Sequence, residues 1–268
     1  KSGEMASRVD ARGNVLSALG AVRSLPEDGK DLVLTLDADI QSIAEEELET
    51  GVAHFKAESG IAIVMEPHTG EILAMANVPL YDSNLFSLYD PKIRRNRAVT
   101  DMFEPGSTFK VVAVAGAVEE GMYEAEDAIF CEGGKMMVSG GTIRDTHPSE
   151  WLTVRQIIEQ SSNIGTAKIA RRLGRVKLFR YTRLFGFGNL SGSDLPGEIS
   201  GDLKHPSRWS DRSLETISIG QEVGVSALQL ASAYGAIANR GRLMIPRIFQ
   251  EAVQGDNSIL LGRSEEVR

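Results

Sequence analysis

The segment from Glu104 to Gly121 constrains this chain more than any other. Pro105 and Gly106 interrupt the backbone and Ser107 follows. Phe109, Val111, Val112, Val114, Ala115, Ala117 and Val118 then form an apolar run that only Gly116 breaks. Gly121 suits a C-terminal cap, so residues 107–121 read as a buried helix with Ser107 in its first turn. Lys110 lies three residues on, one turn away on the same face. A hydroxyl at a helix N-terminus beside an ammonium is an arrangement that activates a nucleophile. The helix dipole favours developing negative charge there, and a desolvated lysine loses its proton and acts as a base. Serine is also a favoured N-cap, and lysine can snorkel to solvent, so the spacing alone does not decide. The apolar residues after Lys110 set its side chain on the core side rather than on a charged face.

The 268 residues, 42% hydrophobic and 25% charged, allow one large domain, or one domain plus a fragment. The net charge is −8 and the basic residues are scattered, which argues against a nucleic-acid partner. Cys131 stands alone, excluding an internal disulfide and a cysteine-based metal site. His54, His68, His147 and His205 show no metal-ligand spacing and read as satisfied or exposed imidazoles. No run of 18 apolar residues is present to span a membrane. The chain begins at Lys1 without Met and reads as a piece of a longer protein, with any targeting segment upstream.

Residues 1–30 are polar and punctuated by glycine, and read as a linker or the remnant of an upstream non-catalytic domain. Residues 31–36 alternate like a strand. Asp37 and Asp39 can cap a helix running to Phe55, with Ile40, Ile43, Ala44 and Leu48 on one face. Ile61–Met65 and Glu71–Met75, joined by Pro67–Gly70, read as a β-hairpin near the centre of a sheet. Residues 77–104 read as an irregular loop in which Arg94, Arg95 and Arg97 either meet an anionic partner or are solvated. Residues 131–141 read as a surface hairpin or lid. Thr153 and Gln156 have capping-box spacing, and a helical pattern runs from there to Gly174. Ser161, Ser162 and Asn163 interrupt it, and either cap a second helix or face a cleft. Residues 176–185 suggest another short helix. Gly186-Phe187-Gly188 lacks the third glycine and the preceding strand of a dinucleotide site. Residues 193–198 and 204–207 carry turn chemistry, and Thr216–Gly220 reads as a buried strand or turn. Ser226 and Gln229 form a second capping box. It opens a helix that ends at Asn239-Arg240-Gly241, with Leu228, Leu230, Ala231, Tyr234 and Ile237 as its core residues.

Ser107-x-x-Lys110 and Ser161-x-Asn163 are two of the three short signatures of penicillin-binding proteins and serine β-lactamases. The longer stretch Asn96–Lys110 resembles a class B, monofunctional penicillin-binding protein of the cell-division type. Pro67–Ala74, Asp194–Glu198 and Ser218–Val225 are similar to the same family, so the resemblance runs from residue 30 to residue 250. The family's third motif, Lys-Thr/Ser-Gly, does not follow residue 163. Lys1-Ser2-Gly3 and His68-Thr69-Gly70 come before the nucleophile, in the wrong order and on the wrong elements. By resemblance, the strand carrying that motif supplies one oxyanion-hole N–H and the cationic group that holds the substrate carboxylate. The 268 residues are therefore expected to be impaired on their own.

The resemblance implies an α/β (α+β) fold, with a mostly antiparallel central sheet and helices on both faces, over residues 31–268. It implies acyl transfer from peptidoglycan stem peptides ending in D-Ala-D-Ala. Ser107 would be the nucleophile and Lys110 its base. Ser161 would relay a proton, and Asn163 would position Lys110 and the donor amide. The N–H of Ser107 would meet the oxyanion. β-Lactam antibiotics would trap Ser107 as an ester, and no cofactor would be needed. The longer protein would sit in a bacterial cytoplasmic membrane by a single pass, with this domain on the periplasmic side and other cell-division membrane proteins as partners in septal wall synthesis. Two other readings share the fold. A serine β-lactamase needs a water-activating group, and no residue in the right context offers one. A non-catalytic divisome scaffold or β-lactam sensor would fold but form no adduct.

Overall fold

A computed structural model describes residues 4–6, 12, 21–24, 29–254, 257–261 and 264–267. The Lys1-Ser2-Gly3 decoy lies outside them. In chain order the first strands are β1 (Glu4–Ala6), β2 (Ala21–Ser24) and β3 (Asp31–Leu34). Helix α1 (Ala38–Phe55), the hairpin β4 (Gly60–Met65) and β5 (Ile72–Val78), and the short α2 (Arg97–Thr100) follow. Helix α3 (Lys110–Glu119) precedes β6 (Ala128–Phe130), β7 (Lys135–Val138), β8 (Gly141–Arg144) and β9 (Trp151–Thr153). Helices α4 (Val154–Glu159), α5 (Asn163–Leu173), α6 (Arg175–Leu184), α7 (Ser213–Ser218) and α8 (Ala227–Ala238) come next, then β10 (Phe249–Gln254) and β11 (Asn257–Leu260). The chain divides into two compact units, residues 1–34 with 249–263, and residues 35–248 with 264–268.

In the first unit β1 pairs with β2, and β10 lies between β3 and β11. The second unit carries the hairpin β4–β5 and the pairs β6–β9 and β7–β8. All of these ladders are antiparallel. The hairpin has a helix on each face. A Cβ on Gly60 would sit 2.7 Å from Val52 and 2.8 Å from Leu48, so α1 presses onto the face that carries Gly60, Ala62, Ala74 and Ala76. Ile61 and Ile63, on the opposite face, look across to Ala227, Leu230, Ala231 and Tyr234 of α8. Residues of opposite parity point to opposite sides of a strand, and the small side holds the close helix. Asp37 caps α1 by accepting the N–H groups of Asp39 and Ile40. Gln41 then closes the outer edge of β5, accepting the N–H of Met75 at 2.7 Å and donating to its carbonyl.

Four expectations need correcting. Ile43 is exposed, because α1 lies down along Ile40, Ala44, Leu48 and Val52. The stretch 77–104 is not wholly irregular. Asn96 caps α2 and buries Ala98 and Val99, while Arg95 and Arg97 both pair with Asp101 at 2.9 Å. Thr216 and Ile217 belong to the helix α7, which is buried nearly all round and so shows no helical period in its sequence. On α8, Leu228, Gln229, Ser232, Ala233 and Ala236 are the buried residues, whereas Tyr234 and Ile237 are exposed.

Helix α3 runs through the middle of the helical layer. Phe109, Val112 and Ala113 join a core with Leu173, Leu178, Phe187 and Ile217. Ala117 faces a second core with Ile129, Met136, Ile143, Leu152, Ile157 and Ile164. Each large apolar side chain buried this way stabilises by about 1.5–3 kcal/mol. Gly116 is small for a reason, since a Cβ there would sit 2.7 Å from the Tyr181 ring of α6. The region 131–141 forms the hairpin β7–β8, with Met136 and Ile143 anchored in the second core.

Candidate active site

Ser107 does not sit in the α-helix itself. It occupies a 3₁₀ turn, Gly106–Phe109, that feeds into α3, whose first residue is Lys110. Gly106 has φ +58°, a conformation that favours glycine. Its N–H donates to the Gly220 carbonyl at 3.0 Å, and Gly220 itself has φ +78°. A Cβ on Gly220 would lie 2.1 Å from the Gly106 carbonyl oxygen, so two glycine backbones touch directly behind Ser107. Thr108 donates its hydroxyl to Pro105, and Tyr234 donates to the Thr108 carbonyl. Ser107 is exposed, and its hydroxyl makes no hydrogen bond among the described residues. The N–H groups of a first turn have no intrahelical acceptor, and that of Ser107 has no acceptor among the described residues.

Lys110, by contrast, is buried and only 2% exposed. Its Nζ donates to the Ser161 carbonyl at 2.5 Å and to Ser161 Oγ at 2.8 Å. Burial lowers the pKa of this amine to about 8, against a smaller opposing effect of the Asp145 charge. At pH 7 a pKa near 8 leaves roughly a tenth of the amines neutral, against about one in three thousand at the ordinary value.

Ser161 reaches Lys110 from a turn between two helices. Thr153 and Gln156 form the expected capping box of α4. The helix stops at Gln160, and Ser161 takes φ +56°, rare for a residue with a Cβ. Ser162 then N-caps α5 by accepting the N–H of Gly165. The three small polar residues therefore do both things the sequence allows: they start a second helix and turn a hydroxyl inward. Asn163 is close by, but its Nδ2 donates to the Arg144 carbonyl at 2.7 Å and not to Lys110. Asp145, just after β8, accepts the Asn163 N–H at 2.6 Å, the Ile164 N–H at 3.0 Å and the Ser162 hydroxyl at 2.7 Å.

The fold thus joins Lys110 directly to Ser161, sets Ser107 one turn before Lys110, and anchors Asn163 beside them through Arg144. His68-Thr69-Gly70 is the turn of the β4–β5 hairpin, with His68 exposed and bonded to Glu66. Among the described residues no group of three His, Cys, Asp or Glu side chains forms a metal site. Sequence reasoning missed Asp145 altogether, and the close approach of Gly220 behind Ser107. The available signal was thin: Asp145 is the single carboxylate between Glu132 and Glu150, in a stretch with no periodic pattern.

Residues 60–267 match the family described as the penicillin binding protein transpeptidase domain. This chain belongs to that family. It is 38% identical over 263 residues to the probable peptidoglycan D,D-transpeptidase PenA of Neisseria gonorrhoeae, covering 97% of this chain and 45% of the relative. It is 35% identical over 239 residues to the peptidoglycan D,D-transpeptidase FtsI of Escherichia coli K12, covering 89% and 40%. Penicillin binding protein 3 of Mycobacterium tuberculosis, solved in its apo form and with ampicillin, superposes with a TM-score of 0.86 at 30% identity. The apo structure matches 98% of this chain and 62% of that one. The chain spans less than half the length of these two curated relatives. The α/β transpeptidase fold expected from the motifs is the fold observed.

Proposed function

We propose that this penicillin-binding transpeptidase domain carries the acylation site of a serine-type peptidoglycan D,D-transpeptidase, with Ser107, Lys110, Ser161 and Asn163 as its working residues. One observation supports this above all: a buried lysine amine, held on Ser161 and with its pKa lowered to about 8, one turn from an exposed serine. Neutral Lys110 takes the proton of Ser107 Oγ as that oxygen attacks the carbonyl carbon of the penultimate D-Ala. The amide C–N bond breaks, and the proton passes from Lys110 through Ser161 Oγ to the departing D-Ala amine. Asn163, anchored on Arg144, turns its free amide oxygen to the donor peptide. The Ser107 N–H stabilises the oxyanion. An amine of a neighbouring stem peptide then resolves the ester and forms the cross-link.

The role is septal cell-wall synthesis, in keeping with the likeness of residues 96–110 to the cell-division type. In this reading residues 31–268 are the transpeptidase domain, and residues 1–30 end an upstream non-catalytic region. The full-length protein is anchored in a bacterial cytoplasmic membrane beside other cell-division membrane proteins, with this domain on the periplasmic side. Among the described residues no helix is long and apolar enough to cross a membrane. β-Lactams occupy the donor position and leave Ser107 acylated. Without a Lys-Thr/Ser-Gly strand, the 268 residues alone acylate on the order of 100- to 1000-fold more slowly.

The test is covalent labelling of the full-length protein with a fluorescent penicillin. An adduct that disappears in Ser107→Ala and decays slowly supports a transpeptidase. Rapid decay assigns a β-lactamase instead. No adduct on the wild-type protein rejects acyl transfer in favour of a scaffold.

A further inference from the structure

Asp145 reaches the site from outside the helical layer and ties three donors at once. Oδ1 accepts two consecutive backbone N–H groups at the start of α5, and Oδ2 accepts the hydroxyl of Ser162. The loop that carries it is pinned on both flanks. The N–H of Asp145 donates to the Gly134 carbonyl, Pro148 packs on Gly134 so tightly that a Cβ there would lie 2.7 Å away, and the Cys131 N–H donates to Glu150. The carboxylate is therefore a fixed point, and the Ser161–Asn163 turn hangs from it. That turn needs an anchor, because Ser161 holds a left-handed conformation that costs about 1 kcal/mol or more for a residue with a side chain.

We propose that Asp145 is a positioning residue of the acyl-transfer site: its carboxylate fixes Ser161 and Asn163 in register with Lys110 and sets a negative charge beside that amine. The inference rests on the transpeptidase reading above. The carboxylate works in two separable ways. Its hydrogen bonds hold the hydroxyl and carbonyl of Ser161 on the lysine. Its charge opposes the burial of the ammonium and keeps Lys110 protonated to higher pH than burial alone allows. Other charged groups on the surrounding elements are engaged elsewhere: Arg155 with Glu126, Lys168 with Glu132, Arg171 with Glu215, and Lys177 with Glu120.

The two effects separate in a pH profile. In the full-length protein, the acylation rate is measured from pH 6 to 10 with a fluorescent penicillin, alongside NMR titration of Lys110 Nζ, which needs no acylation. Asp145→Asn is expected to lower the plateau rate roughly 100-fold, as misplacement of a reacting group does. It is also expected to move the midpoint to lower pH, because the ammonium has lost its counter-charge. Asp145→Glu keeps the charge and shifts the contacts, so the plateau falls while the midpoint stays. Ser162→Ala removes one of the three contacts to Asp145, together with the side-chain cap of α5, and gives the smaller fall, again at a fixed midpoint. Wild-type plateau and midpoint in Asp145→Asn overturn the proposal, as does a slower rate with no movement of the midpoint. Where Asp145→Asn does not fold, Asp145→Glu and Ser162→Ala decide: full wild-type rates in both overturn it. A wild-type protein that takes no label rejects the function but leaves the Lys110 titration to judge Asp145. An unmoved Nζ midpoint in Asp145→Asn then rejects the charge effect.

Discussion

The turn that carries Ser107 and the turn that carries Ser161 both bear on Lys110, yet they are held by different means. The first is built from glycine against glycine. Gly106 and Gly220 both have positive φ, and Gly220 lies so close to the Gly106 backbone that it has no room for a methyl group. The second places a serine in the same left-handed region and holds it with side-chain chemistry, through Asp145, Ser162 and the Lys110 amine. A turn made of backbone contacts carries no charge and is indifferent to pH, but one added carbon breaks it. A turn made of ionic hydrogen bonds tolerates size better and answers to protonation. The proposed nucleophile sits on the first kind, where its position must not drift. The proposed proton-handling groups sit on the second, where charge would be part of the function.

The sharpest way to break this contrast is Gly220→Ala. The new Cβ would meet the Gly106 oxygen at 2.1 Å in a left-handed conformation, so stability should fall by at least about 2 kcal/mol and labelling of Ser107 should be lost. Thermal unfolding and penicillin labelling measure both. If Gly220→Ala unfolds and labels like the wild type, the glycine contact is not what sets the first turn.

Lys110→Met tests the amine both turns serve. Acylation should drop by roughly 100- to 10,000-fold, the usual contribution of a general base, while the protein stays folded because a buried cation is replaced by an apolar side chain of similar length. A stopped-flow acylation rate within a factor of about three of wild type would remove Lys110 from the chemistry.

The pH dependence follows with its sign. In the proposed mechanism the neutral amine is the active form, so the wild-type rate should rise about tenfold per pH unit below 8 and level off above it. The depressed pKa also means that Lys110 opposes folding below pH about 8, and that this opposition fades as pH rises toward its ordinary value of 10.5. A flat rate between pH 6 and 9 contradicts the assignment of the base.

A finer comparison is Ser161→Gly against Ser161→Ala. Both lose the hydroxyl, and only alanine keeps the strain at φ +56°. The glycine variant should be more stable by about 1 kcal/mol in urea unfolding, and equal stability would mean the second turn stores no strain. The smallest effect belongs to Glu126→Ala. It breaks an exposed pair with Arg155, at the end of α4 away from Ser161, and should change stability by less than about 1 kcal/mol and acylation not at all.

Much of this was legible in the sequence, for stated reasons. The apolar run after Lys110 has no alternative to burial, so α3 and the inward lysine follow from residue types alone. Thr153–Gln156 and Ser226–Gln229 announced α4 and α8, because a capping box is a local device that needs no partner from elsewhere. Helix α7 was not legible, since a helix covered on all sides loses its period. Nor was the exposure of Ile43 and Tyr234, because which face of a helix is covered depends on what packs against it. Asp145 left almost no trace, since its three donors lie 17 to 19 residues away and nothing local marks them.

The sequence by itself determined which residues are proposed to carry the chemistry. The Ser-x-x-Lys and Ser-x-Asn spacings are read along the chain, and within a turn or helix spacing fixes relative position. Only the tertiary structure decided how those two short pieces meet. Lys110 and Ser161 are 51 residues apart, and their 2.8 Å contact exists because α3 and α5 share a core, Gly220 closes behind one turn and Asp145 holds the other. Long-range packing, burial and a distant carboxylate set the lysine's charge, and none of these is a property of neighbouring residues.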